Sequence, residues 1–205
     1  MSKWSSAASS LVCLGLLALA ACGPRGGDKE EQDGVRPGLG AVITRADTSV
    51  DEVASAEPGK DRHQWLAADN ATRNKTGNLT ASVEGRGGPL MLAFANGITE
   101  QAERDIKLPA SESVAGGPKT FSAILSAEPE ATVYLYRVTG EDIASVAKTG
   151  GLCGMDRTTF LAVAEYVGGD GEWVFHVAAF KGAGMPGPNG QSAPILCGAY
   201  HFAMP

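Results

Sequence analysis

The ten residues Glu172–Lys181 (EWVFHVAAFK) constrain the fold more than any other stretch of the chain. Read with a period of two, Trp173, Phe175, Val177 and Ala179 fall on one side. Val174, His176, Ala178 and Phe180 fall on the other. Both sides are largely apolar, so this strand needs cover on both faces, as a strand central to a sandwich or small barrel has. The loop Gly168–Gly171 (GGDG) precedes it and a Gly/Pro-rich loop, residues 182–193, follows it. Thr158–Val167 and Ile195–Ala203 are strand-like on either side, so the C-terminal third reads as a three-stranded antiparallel meander.

The same punctuation runs further back. Residues 78–84 (NLTASVE) and 90–96 (LMLAFAN) flank a GRGG turn and form a hairpin, while Ala131–Val138 is β-branched and aromatic and reads as a strand. Lys119–Leu125 reads as a short strand. Thr99–Leu108 fits either a polar edge strand or a helical piece. Helix is expected from Asp47 or Thr48 through Ala56, ended by Pro58-Gly59, and again over Glu141–Lys148 before Gly150-Gly151. Asp61–Ala68 reads as a further helical turn, and Asn70–Gly77 as a polar loop. About seven short strands with frequent turns give a mainly β body. The expected fold is an antiparallel sandwich or small barrel with one or two short helices, over residues 41–205.

Composition narrows the function classes. Hydrophobic residues make up 43% of the chain and charged residues 20%, which excludes a wholly disordered acidic protein. The formal net charge of −6 argues against nucleic-acid binding driven by phosphate neutralisation.

The N-terminus carries the clearest address. Lys3 is followed by an uncharged apolar run, Leu11–Ala21, too short to span a bilayer but long enough for a signal-peptide core. The run ends Leu19-Ala20-Ala21-Cys22, which resembles the lipobox of bacterial lipoproteins. That resemblance covers residues 1–22 and implies removal of residues 1–21 and lipidation of Cys22. Two or more acyl chains suffice for stable membrane anchoring. Gly23 after the cysteine, rather than aspartate, implies the outer membrane, with the body facing the periplasm. Residues 22–40 then form the lipidated cysteine and a tether poor in large apolar side chains, spanning roughly 20–25 Å.

The four cysteines sort accordingly. Cys13 leaves with the signal and Cys22 takes lipid. Cys153 and Cys197 remain in a compartment where disulfides persist. Their strands start at the same end of the meander but two strand spacings apart, so the loop at Cys153 must fold over for them to bridge.

The chemistry-bearing motifs are few. The sequence contains no G-x-S-x-G, H-E-x-x-H or phosphate-binding glycine loop, and no clustered metal ligands, so no cofactor or metal is expected. Tyr134 and Tyr136 share a strand face with Val138 and read as core or as a binding stripe. His176 and His201 fall on neighbouring strands. Among acids, Glu141 and Asp142 are adjacent and point apart, whereas Glu165 and Glu172 flank the GGDG loop and could face one another, which as like charges at a hairpin end reads as a solvated pair. The expectation is a membrane-anchored lipoprotein with a non-enzymatic binding or interaction domain and an envelope protein as a possible partner. One alternative is an inhibitor of a basic enzyme such as lysozyme, although the Ser-Gly-x-x-Tyr stretch of such inhibitors is absent. Another is an enzyme built around His176 and His201.

Overall fold

The computed structural model describes residues 53–85, 88–115, 117–190 and 192–205. The signal segment, Cys22, the tether and residues 41–52 lie outside the described residues.

Nine strands form among the described residues: β1 Ser55–Ala56, β2 Gln64–Ala67, β3 Leu79–Val83, β4 Leu90–Phe94, β5 Ile98–Pro109, β6 Thr132–Ile143, β7 Phe160–Val167, β8 Trp173–Lys181 and β9 Ile195–Ala203. From β2 to β9 each strand pairs antiparallel with the next in sequence, and β9 returns to pair with β2. The sandwich-or-barrel choice therefore falls to an eight-stranded closed antiparallel barrel. β1 lies outside the ring, pairing with β7 beyond the end of the β6–β7 ladder. The Ser55 hydroxyl there accepts the Thr132 N–H, which ties β1 to β6 as well.

Two cores follow from the alternation along β6, β7 and β8. Inward residues such as Trp65, Leu92, Val163, Phe175, Val177 and Phe202 fill the barrel. An eight-stranded barrel is just wide enough for side chains to do this. Outward residues of the same strands, among them Leu135, Phe160, Ala162, Ala178 and Phe180, are also buried. They lie under the β5–β6 connection, through Phe121 and Leu125, and under the β8–β9 loop, through Met185. This double cover is what the two apolar faces of Glu172–Lys181 demand.

Several local expectations need correction. Asp61–Ala68 holds β2, whose exposure alternates residue by residue, and the expected helix ending at Ala56 closes instead on β1. Asn70–Gly77 contains helix α1, Asn70–Lys75, capped by Asp69, whose side chain accepts the Thr72 N–H. Lys119–Leu125 contains helix α2, Phe121–Leu125, capped in the same way by Thr120. Thr99–Leu108 belongs to β5, not to a helix: it is paired on both sides over Thr99–Ala102, and from Glu103 onward only β6 pairs with it, so its outer half is the expected polar edge. Glu141–Lys148 is not helical: β6 continues to Ile143 because β5 is long enough to pair with it.

Candidate functional site

The two ends of the barrel each bury a glutamate, and they handle it differently. At one end Glu165 on β7 points inward and is 0% exposed. Its carboxylate accepts the Gly59 N–H at 3.1 Å and pairs with Arg62 at 3.0 Å. The Arg62 guanidinium in turn lies 3.4 Å from the centre of the Trp173 ring, a cation–π stack. Burial raises the Glu165 pKa, and the Gly59 and Arg62 hydrogen bonds oppose that rise. Glycine is required at position 59, where φ is +73° and a Cβ would meet Leu90 and the Ser82 nitrogen. Glu172, weighed as a partner of Glu165, takes no part in this pairing.

This end is also open. A cleft of about 310 Å³ is lined by Glu57, Val83, Leu90, Glu103, Arg104 and Tyr136, among others. Arg104 pairs with Glu57 at 2.6 Å and lies over the Tyr134 ring, 5.8 Å from its centroid. Tyr134 and Tyr136 both face the barrel side of β6: Tyr136 is buried, while Tyr134 is half-buried at the rim. Burial pushes both phenol pKa values above the ordinary range. Tyr136 is thus a core residue that reaches the cleft and Tyr134 packs against the same core, rather than the two forming a stripe on an exposed sheet.

At the other end, Glu100 on β5 and Glu141 on β6 are directly opposed cross-strand partners. Like charges in that position destabilise a sheet. Glu100 is 0% exposed, and neither of its oxygens has a donor among the described residues. Burial, then the neighbouring Glu141, pushes its pKa up to about 9. At neutral pH Glu100 therefore keeps its proton and donates it to Glu141. Glu141 also accepts the Thr158 N–H and hydroxyl, at 3.2 and 2.9 Å. The loop between β6 and β7 lies over this pair. At Gly151 a Cβ would stand 2.3 Å from a Glu141 oxygen, so any side chain there would push the Glu141 carboxylate aside. The expected bridge is formed: Cys153 and Cys197 are disulfide-bonded, with Cα atoms 4.9 Å apart, and Tyr200 inside the barrel donates to the Leu152 carbonyl at 3.0 Å.

His176 and His201 are register partners on β8 and β9, with ring centroids 4.7 Å apart, on the outer wall of the barrel. Tyr166 lies 3.4 Å from His176 Nδ1 and donates to the Ser126 carbonyl just after α2. Asp69, the cap of α1, lies 3.2 Å from His201 Nδ1. The four side chains form a row that joins both helices to the wall. Burial, then His201, lowers the His176 pKa to about 4, so its ring is neutral at physiological pH.

The sequence reading found the histidines and tyrosines and missed Glu100, Arg62 and Arg104. A signal for Glu100 existed: Ile98, Glu100 and Ala102 alternate, which puts the acid on an apolar face. Among the described residues no group of three or more His, Cys, Asp or Glu side chains is placed to hold a metal ion. No family model, curated protein or solved structure matches the chain.

Proposed function

We propose that the chain is a membrane-anchored bacterial envelope lipoprotein whose barrel is a non-enzymatic binding module, receiving its ligand across the open mouth at the Glu165 end. The observation that carries this reading is the cleft itself. A guanidinium (Arg104), carboxylates (Glu57, Glu103) and a phenol-bearing ring (Tyr136) converge there with the apolar Val83 and Leu90. Apolar walls with a few convergent polar groups suit a small amphipathic ligand. Side chains occupy the barrel interior, so the ligand would rest on the mouth rather than inside. Glu57 stands just after β1, so the N-terminal lead into the barrel builds part of the cleft wall.

The anchor and the cleft are tested separately. Cys22→Ala should release the protein from the membrane fraction or leave it uncleaved; unchanged partition and gel mobility would contradict the anchor. For the cleft, the full chain in detergent micelles is screened by NMR against anionic, cationic and zwitterionic amphipathic fragments. Binding fragments should perturb Val83, Leu90, Arg104 and Tyr136, and Arg104→Ala should weaken them. Perturbations elsewhere, unaffected by that substitution, would remove the cleft from the account.

A further inference from the structure

The barrel closes by a short seam. β9 meets β2 at two register pairs, Leu66 with Ala203 and Ala67 with Phe202, and one further bond runs from the Ala68 N–H to the His201 carbonyl. Beyond His201, toward Ile195, α1 stands where a strand would otherwise continue.

The hydrogen-bond parity of β9 shows what is left open. Met204 donates to the Trp173 carbonyl, so Phe202, Tyr200 and Gly198 exchange bonds with β8. Ala203, His201 and Ala199 then turn their N–H and C=O groups away from β8. His201 uses both: its N–H donates to the Thr72 hydroxyl and its carbonyl accepts from Ala68. Ala199 has no such partner among the described residues. A bulge lies between Gly198 and Leu196. Leu196 faces Phe180, whose carbonyl is taken by Thr159 on the far side, so Leu196 also turns outward.

These two positions line a groove of about 520 Å³ between β9, α1 and the Cys153 loop. Its apolar lining includes Leu152, and its charged lining is Lys75, which donates to Thr149, and Lys181, which pairs with Asp156 beside the groove. Ile195 and Leu196 are exposed large apolar residues here, and Met155, two residues past the disulfide, is 97% exposed.

An open strand edge is a template for another strand. We infer that the Leu196–Ala199 edge of β9 is a docking site for an extended, acidic segment of a partner protein, which adds to it as a strand. The backbone groups of Leu196 and Ala199 would supply the main-chain bonds, Ile195 and Leu196 would pack its apolar side chains, and Lys75, with Lys181 exchanging Asp156 for the ligand, would select carboxylates. Charge favours this occupant over a second copy of the chain, because two such edges brought together would oppose lysine to lysine. The site is remote from the mouth cleft, so neither reading depends on the other.

The test uses the full chain in detergent micelles and a capped heptapeptide of alternating Val and Glu, with an alternating Val and Lys peptide as control. The Glu peptide should slow hydrogen exchange at the Leu196 and Ala199 amides. A Lys75→Glu/Lys181→Glu double variant should weaken the Glu peptide by roughly tenfold and favour the Lys peptide instead. That exchange of preference is a result that misfolding would not produce. Equal binding of both peptides, no protection by either, or a preference unchanged in the double variant would overturn the proposal. Protection of Ala199 without peptide would also overturn it, assigning the edge to a second copy if concentration-dependent and to the chain's own N-terminal segment if not.

Discussion

Glu100 and Glu165 occupy equivalent predicaments. Both point into the barrel and both are 0% exposed. Glu165 meets a cation, Arg62, that is itself 20% exposed and stacked on Trp173. Glu100 meets another carboxyl group, Glu141, and is held by a proton. The difference tracks the architecture. The Arg62 end keeps a path to water and carries the cleft, whereas the Glu100 end is covered by the β6–β7 loop and stapled by Cys153–Cys197. A buried carboxyl with no cation is tolerable only when neutral. The closed end is therefore a structural device, and the open end is where charged groups remain available to a ligand.

Three variants sharpen or break this contrast. The largest effect is expected at the closed end. Replacing Cys153 and Cys197 by serine releases a 44-residue separation and should cost roughly 4 kcal/mol in urea unfolding, while NMR shifts at Tyr136 and Arg104 stay unchanged. A loss at the mouth as well would mean the ends are not independent. At the open end, Arg62→Ala leaves Glu165 buried without its cation and should cost about 3 kcal/mol. Glu100→Gln should do the reverse. The Gln amide can donate to Glu141 as the protonated acid does, but it cannot ionise on unfolding. Because the folded pKa of Glu100 lies above the unfolded value, the native state holds the extra proton between pH 4.5 and about 9, and stability falls as pH rises through that window. The substitution removes that loss, a gain of roughly 3 kcal/mol near pH 7.

His176 supplies the opposite slope. Its folded pKa is lowered from 6.5 to about 4, so its contribution is intact above 6.5 and is lost as pH falls toward 4. The two slopes oppose one another below pH 6.5, which predicts a stability profile nearly flat from about pH 5 to 6.5 and declining toward pH 9. His176→Leu should remove the acid-side loss, on the order of 2 kcal/mol at pH 5. Thermal unfolding across this range checks both slopes.

Much of this fold was legible because periodicity and turns are local. The hairpin at residues 78–96, the meander of β7, β8 and β9, and the double burial of β8 all follow from alternation in the sequence. The disulfide followed from compartment and strand placement. The short helices were not legible. α1 is polar apart from Ala71, and its one buried residue, Thr72, is fixed by Asp69 and by the β9 backbone. α2 is set by Phe121 and Leu125, four apart, packing on the outer core. The Glu100–Glu141 pair was hidden because a bulge between Gln101 and Ala102 sets its register. The chain neighbour Asp142, on the other face of β6, gives no hint of that partner. Arg62 and Glu165 lie 103 residues apart, beyond any local pattern.

The contrast between the ends is measured most directly by titrating the two carboxyl groups. Selective 13C labelling of glutamate, with Glu100→Gln and Glu165→Gln to assign the signals, follows each side chain by NMR from acid to alkaline pH. The account predicts that Glu100 stays protonated through neutrality and releases its proton near pH 9, whereas the Glu165 pKa is raised by burial against the opposing Gly59 and Arg62 hydrogen bonds. A Glu100 signal that titrates near the ordinary glutamate value of 4.5 would contradict it.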